Sequence, residues 1–443
     1  MSMPSDSGAG GDGIVYRGLR RIIDLRPEEA GALAWSWLYV FALFLAYSVL
    51  RPIRDELGVA GGTANLGWLF TGTLLAMLLA NPLYSSLMRR MSRERFIAIS
   101  YRFFMANLLV FFVLLQVATP DQHIWIGRAF FIWISVFNLF VVSVFWSFVV
   151  DFFGTEQGKR LFGFLATGAT VGGIAGASVT SLLVGLIGQN WLLLVSVLLI
   201  EVSVLAVHRL SRFGTARRAA DGSPGEERIP GGIFAGLTHT LRSPYLLGIA
   251  VFILLYSVTS TFLYSQQAIA AAAYPSRAAR TEFFANIDLI VNVLTLVAQV
   301  FLTGRAIAFM GVALTLSVLP LFSVIGFGAL AAVPSVAVLV AAQVSRRVSN
   351  FALARPTREV LFTSLPREDK YKSKNFIDTV VYRTGDQLGI WTASLLTWSG
   401  LGMSGVAVWA VPISVVWLVV AYWLGRQQER RAALPPAIVP EHG

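Results

Sequence analysis

The sequence predicts an all-α, polytopic membrane protein with about twelve transmembrane helices in two six-helix halves. Three observations carry this. Of the 443 residues, 56% are hydrophobic and 13% charged, whereas soluble globular chains run nearer about 45–50% apolar and about 25% charged. The apolar residues gather into about twelve stretches of about 20 residues, the length that crosses a hydrocarbon core. Lys and Arg concentrate in alternate loops, as they do on the cytoplasmic side of a membrane protein. This composition argues against an ordinary soluble enzyme and excludes a disordered chain. With no Cys there is no disulfide, thiolate metal site or cysteine nucleophile. The net charge of +11 belongs to cytoplasmic loops, with no nucleic-acid partner needed to explain it.

In chain order the stretches cover 30–50, 64–87, 96–118, 124–150, 161–187 and 191–207, then 244–270, 282–302, 306–330, 334–353, 376–397 and 405–424. The fourth and fifth are long, so they tilt or extend into the headgroups. Residues 1–13 are Ser/Gly/Asp-rich without an apolar h-region, and no secretory signal peptide is expected. Residues 14–27 are basic and amphipathic, with Arg17, Arg20, Arg21 and Arg26. They read either as a helix on the inner membrane face or as a basic flank of the first span.

Orientation follows from the loops. Arg89, Arg90, Arg93 and Arg95 follow the second span, Lys159 and Arg160 the fourth, and Arg209, Arg212, Arg217, Arg218, Arg228 and Arg242 the sixth. Arg305 follows the eighth, a basic run from Arg358 to Lys374 the tenth, and the tail carries Arg426, Arg430 and Arg431. The opposite loops are nearly bare apart from Arg51, Arg54, Arg277 and Arg280. Both termini are therefore expected in the cytoplasm, which requires an even number of spans.

The polar stretch SRFGTARRAADGSPGEERIPGG at 211–232 reads as a cytoplasmic linker. The expected organisation is an N-terminal segment 1–29, a first half 30–208, a linker 209–242, a second half 243–425 and a tail 426–443. Two six-span halves joined by a long inner loop is the layout of the major facilitator fold, in which substrate binds between parallel halves near mid-membrane. A faint repeat agrees: FVVDFFGTEQGKRLFGFLATGATVGG in one half and RPTREVLFTSLPREDKYKSKNFIDTVVYRTGDQLG in the other each pair a charged helix end and a basic turn with a Gly-containing helix.

A charge at the centre of a membrane helix costs about 2.5–3.5 kcal/mol on insertion scales, so it faces a cavity or a buried partner. Four places qualify. Arg51 and Arg54 share a helical face around Pro52, with Asp55 next; they are cavity-facing or snorkel to the interface. Arg346, Arg347 and Asn350 lie near the midplane of the tenth span. Adjacent residues point about 100° apart, so one arginine can face a cavity and the other a carboxylate; two structural ion pairs are the alternative. Asp378, Tyr382 and Asp386 share a face of the eleventh span, where Arg383 can pair with Asp386. The last group is scattered: Asp151, Glu201 beside His208, and Asp288 one turn before Asn292.

Arginine binds carboxylates and phosphates bidentately, so these sites imply an anionic ligand, with the acids balancing charge or carrying a coupled proton. His123, His208, His239 and His442 all lie in loops, at a helix end or in the tail, which argues against a His proton relay or metal site. Gly168, Gly172 and Gly176, and Gly385 with Gly389, form small-residue faces suited to close helix packing. No phosphate-loop sequence occurs.

At the charged motifs the chain resembles the ATP/ADP translocase family of plastids and intracellular bacteria. The resemblance rests on LRPIRDEL at 50–57, FWSFVVD at 145–151, RPTREVLFTSLP at 355–366 and KNFIDTVVYRTGDQLG at 374–389. It implies a major-facilitator-like exchanger that hydrolyses nothing. By that resemblance Arg54 stands at a substrate-linked basic position and Asp151 at an acidic one, and Pro356, Thr357, Arg358 and Glu359 match a PT(K/R)E segment. Two positions depart: the family's acid in the seventh span falls near Tyr264, and its lysine in the eleventh near Asp386.

The expected function is secondary active transport of an organic anion, a nucleotide or related phosphorylated solute among them, by alternating access in a bacterial inner membrane. The alternative is a transporter or flippase for a lipid, amphiphile or drug-like solute. A membrane-embedded enzyme lacks the intramembrane His that its chemistry would use, so no enzymatic activity is expected, nor a cofactor or metal. The expected substrate-binding residues are Arg51, Arg54, Asp151, Tyr264, Arg346, Arg347, Asn350, Arg358 and Arg383. Asp288, Asp378 and Asp386 are expected to couple or balance charge. The expected partners are a small anionic solute and the lipid bilayer, with the protein a monomer.

Overall fold

The computed structural model describes residues 26, 29–91, 93–221, 240–241, 243–363, 365, 373–374 and 376–433. The basic segment before the first span, most of the linker and the loop 366–372 lie outside the described residues, as does the side chain of Asp151. Every regular element described is helical. Before the linker come α1 (Ala30–Ala60), α2 (Leu66–Arg90), α3 (Arg93–Val117), α4 (Pro120–Ile187) and α5 (Gln189–Asp221). After it come α6 (Pro244–Ala272), α7 (Arg277–Phe301), α8 (Thr303–Ala332), α9 (Val336–Ser349), α10 (Arg355–Leu361), α11 (Tyr382–Trp398) and α12 (Met403–Ala432).

Ten segments of the described residues are long and apolar enough to cross a membrane. Two of them, Pro120–Trp146 and Leu161–Ile187, lie within the single helical run of α4. That run starts at Pro120, whose missing N–H costs nothing in a first turn, while the Thr119 amide donates to Gln122 Oε1 at 3.0 Å. The tenth and eleventh spans of the sequence fall short of the ten because each is interrupted. A π-helical turn, Asn350–Ala354, separates α9 from α10, and a second, Ile377–Val381, precedes α11. The first turn is braced from α7 and α8: Gln299 Nε2 donates to the Phe351 carbonyl at 3.4 Å and Thr303 Oγ1 to the Ala352 carbonyl at 2.7 Å. Such turns re-aim side chains and occur often at functional sites.

The chain forms two compact units: Met1–Arg54, Met77–Ile126 and Trp133–Gly225 in one, and Asp55–Ala76, Gly127–Ile132 and Glu226–Gly443 in the other. In the first, the small-residue face of α4 lies against α1. A Cβ on Gly172 would stand 2.5 Å from the Phe41 carbonyl oxygen, and one on Gly176 2.5 Å from that of Leu45, so only glycine allows this approach. The buried hydroxyls of Tyr39 and Tyr101 meet at 2.6 Å, and Gln157 Nε2 donates to Glu29 Oε1 at 2.5 Å. Glu201 pairs with Arg102 at 3.2 Å and His208 with Glu94 at 2.8 Å, both in partly exposed settings.

In the second unit, Phe252, Ile377 and Trp417 belong to one buried cluster, Phe262, Phe327 and Ala407 to another, and Val59, Leu69, Phe131, Phe284 and Ile390 to a third. The third draws the last turns of α1 and the first of α2 into this unit. Gly385 and Gly389 of α11 sit against Ser257 and Val258 of α6, which places the charged face of α11 beside α6. Large apolar side chains such as Phe103, Val300, Phe309 and Val419 stand exposed on the helices, a surface suited to lipid rather than water.

Candidate functional site

The charged residues of α9 sort themselves by helical geometry. Successive residues are rotated by about 100°, so Arg346 and Arg347 meet different neighbours. Arg347 Nη1 lies 2.6 Å from Asp288 Oδ1 on α7, with both side chains largely buried. Arg346 turns instead toward α6. Its Nη2 donates to the Tyr256 carbonyl at 2.7 Å and to Thr259 Oγ1 at 3.0 Å. Thr259 passes its own proton to the Leu255 carbonyl at 2.8 Å, which leaves its lone pairs free to accept.

Arg346 is 1% exposed and meets no carboxylate among the described residues. Its guanidinium carbon lies 5.0 Å from the Tyr256 ring centroid and 5.8 Å from that of Trp417 on α12. Cation–π attraction offsets part of its desolvation, about 2 kcal/mol in a dry setting, but does not neutralise it. The Arg346 Nε–H is buried and finds no hydrogen-bond partner among the described residues. Asn350 Nδ2 donates to Tyr256 Oη at 3.0 Å, and the Tyr256 ring lies 6.1 Å from Tyr382 and 6.0 Å from Trp417. One turn before Arg346, Gln343 Nε2 donates to Gln267 Oε1 at 2.7 Å, and Gln343 Oε1 is buried without a partner.

Two other arginines of this unit expected to bind substrate, Arg383 and Arg358, face acids. Arg383 Nη1 donates to Asp386 Oδ2 at 3.1 Å, and Asp386 Oδ1 accepts from Ser257 of α6. Arg358 Nη2 lies 3.4 Å from Asp378 Oδ1, and Lys374 pairs with Glu359. Asp288, Asp378 and Asp386 thus each hold one arginine. Tyr264 Oη donates to Asp55 Oδ1 at 3.1 Å. Arg51 and Arg54, three apart on α1, are half-buried and engaged by neighbouring groups.

The structure therefore brings Arg346, Arg347 and Asn350 into one neighbourhood on α9 and its π turn, with Tyr382 beside them. Arg51, Arg54 and Asp151 belong to the other unit. Several participants carried no signal in the sequence reading. Tyr256, Thr259 and Trp417 sit in apolar runs indistinguishable from core. Glu56 was detectable: its carboxylate has no exposed surface and receives Arg280 at 3.0 Å and Arg277 at 3.4 Å, the two stray basic residues of an otherwise bare loop. Among the described residues no three His, Cys, Asp or Glu side chains come together as a metal site would need.

No known family model matches the chain. Among curated proteins it is similar to ADP,ATP carrier protein 2 of Chlamydia pneumoniae, 27% identical over 221 residues, which is 44% of this chain and 41% of that protein. The protein of the same name from Chlamydia trachomatis serovar D is 27% identical over 213 residues, 42% of this chain and 39% of that one. The chain thus spans about two fifths of the length of the curated relatives it matches. Among solved structures it resembles a bacterial homologue of the iron transporter ferroportin (TM-score 0.64, 13% identity, 90% of this chain and 98% of that one). The nucleoside transporter NupG is also similar (TM-score 0.56, 12% identity, 93% of this chain and 100% of that one). These likenesses show the fold alone, one shared with those membrane transporters.

Proposed function

We propose that the chain is a secondary active transporter of an organic anion, working by alternating access between two six-helix halves in a bacterial inner membrane, with both termini cytoplasmic. The observation that carries this reading is Arg346: a buried guanidinium that meets no carboxylate among the described residues, next in sequence to one that has its own. Removing one partner from a buried ion pair costs about 3–5 kcal/mol, so a buried arginine without an acid calls for an anion supplied from outside the chain. Asn350 and Tyr256 complete its surroundings. In this reading Arg51, Arg54 and Asp151 contribute from the first half. Arg347, Arg358 and Arg383 are held ready by Asp288, Asp378 and Asp386, and Tyr264 by Asp55.

The similarity to ADP,ATP carrier proteins supports a nucleotide or related phosphorylated solute as substrate and exchange as the mode. The test is counterflow in proteoliposomes across labelled nucleotides, other organic anions and neutral amphiphiles. The wild-type protein is expected to exchange anions. Arg346→Gln is expected to abolish exchange while the protein stays folded in the membrane. Anion exchange at wild-type rate in Arg346→Gln, or movement of neutral amphiphiles alone, overturns the proposal. Coupling is separated with Asp386→Asn: loss of gradient-driven uptake with surviving counterflow marks proton coupling at Asp386, and loss of both together with folded yield marks charge balance for Arg383.

A further inference from the structure

Trp417 has a part in this neighbourhood beyond packing. It lies on α12 with no exposed surface, and its indole Nε1–H finds no hydrogen-bond partner among the described residues. An indole nitrogen is a donor only, so it can be satisfied by an acceptor and by nothing else. The Arg346 Nε–H is buried and unsatisfied in the same way, and the guanidinium carbon lies 5.8 Å from the Trp417 ring centroid. Both donors are buried in the same neighbourhood, and buried polar groups are nearly always paired in the working protein. An apolar solute or a cation would leave both unpaired. Acceptor oxygens would satisfy both, and negative charge on them would also neutralise Arg346.

The amount of charge follows from the surrounding pairs. Arg347 is matched by Asp288 and Arg383 by Asp386. Arg346 is thus the buried cation of this neighbourhood that no described carboxylate meets, whereas Arg355, which also acts on Tyr382, is exposed. A single negative charge neutralises Arg346. Further negative charge would enter a low-dielectric interior unmatched, at high cost.

We infer that Arg346 and Trp417 together form a two-donor receptor for a singly charged oxyanion group, such as a carboxylate, sulfonate or phosphodiester, with Trp417 Nε1 as the second donor. This rests on the anion-transport proposal and narrows its substrate class. The rings of Tyr256 and Trp417, 6.0 Å apart, give the group's organic substituent an aromatic wall to pack on.

The test uses the purified full-length protein in detergent, with thermal shift read against benzenesulfonate, neutral benzenesulfonamide and ATP. Benzenesulfonate is expected to raise the Tm of the wild type, benzenesulfonamide to leave it unmoved, and ATP to bind more weakly than benzenesulfonate. In Arg346→Gln the apparent Kd for benzenesulfonate is expected to weaken about 10-fold or more. In Trp417→Phe, which keeps a ring and removes only the donor, it is expected to weaken about 3- to 10-fold. An Arg346-dependent shift that Trp417→Phe leaves unchanged, or that ATP produces more strongly than benzenesulfonate, overturns the receptor while the anion proposal stands. An equal response to benzenesulfonamide overturns it on the wild type alone, should Trp417→Phe fail to fold. No anion effect that depends on Arg346 overturns both.

Discussion

Arg347 of α9 and Asp288 of α7 form an ion pair of 2.6 Å, with side chains 12% and 8% exposed, while Arg346, the residue before, meets no acid among the described residues. The pair ties two helices and separates the roles of two adjacent arginines.

Breaking that pair from one side is expected to be severe. Asp288→Asn leaves Arg347 charged and buried, at a cost of about 3–5 kcal/mol. Arg347→Gln added to Asp288→Asn removes the stranded charge and should recover most of the loss. Thermal unfolding in detergent of the two single variants and the double variant checks this; a double variant no better than Asp288→Asn alone would show that the pair is not the cause.

Glu56 holds Arg280 at 3.0 Å and Arg277 at 3.4 Å, joining the end of α1 to the start of α7. Glu56→Gln keeps the size and removes the charge both guanidiniums face. A loss of about 2–4 kcal/mol in stability is expected, given full burial of the carboxylate. Increased labelling of Cys introduced at Gly61 would report the loosened end of α1. Unchanged stability and unchanged labelling together would show the contact to be dispensable.

Close approach of α4 to α1 can be tested at a single carbon. Gly172→Ala places a methyl 2.5 Å from the Phe41 carbonyl and should cost about 1–3 kcal/mol. Gly163→Ala on the same helix meets nothing within 4 Å and should be neutral or stabilise by up to about 1 kcal/mol. Equal yields and melting temperatures for the two variants would contradict the packing.

The topology is accessible because the chain has no Cys. Ser223→Cys in the linker is expected to react with an impermeant thiol reagent only after the inner face is opened. Ala273→Cys, exposed between α6 and α7, is expected to react in intact cells. The reverse pattern would invert the orientation inferred from Lys and Arg.

The helical spans were legible in the amino-acid sequence because the membrane acts as solvent. Backbone polar groups find no water there, so each crossing must be a helix, and its length and apolarity show in a one-dimensional pattern. The small-residue faces at Gly172 and Gly389 were legible for a related reason: spacing at 3.6 residues per turn sets a helical face without knowledge of its partner. The sequence also marked Arg346 and Arg347 as costly charges, yet two adjacent arginines have the same composition and the same depth. Only the rotation of α9 against α6 and α7 decided that Arg347 meets Asp288 and Arg346 meets the Tyr256 carbonyl and Thr259. Trp417 was invisible for the converse reason, since an indole in an apolar helix reads as packing until the absence of an acceptor around its N–H is seen in three dimensions. Charge neutralisation and hydrogen-bond satisfaction are properties of neighbours, and residues as far apart in the chain as Asp288 and Arg347, or Arg346 and Trp417, become neighbours only when the helices pack.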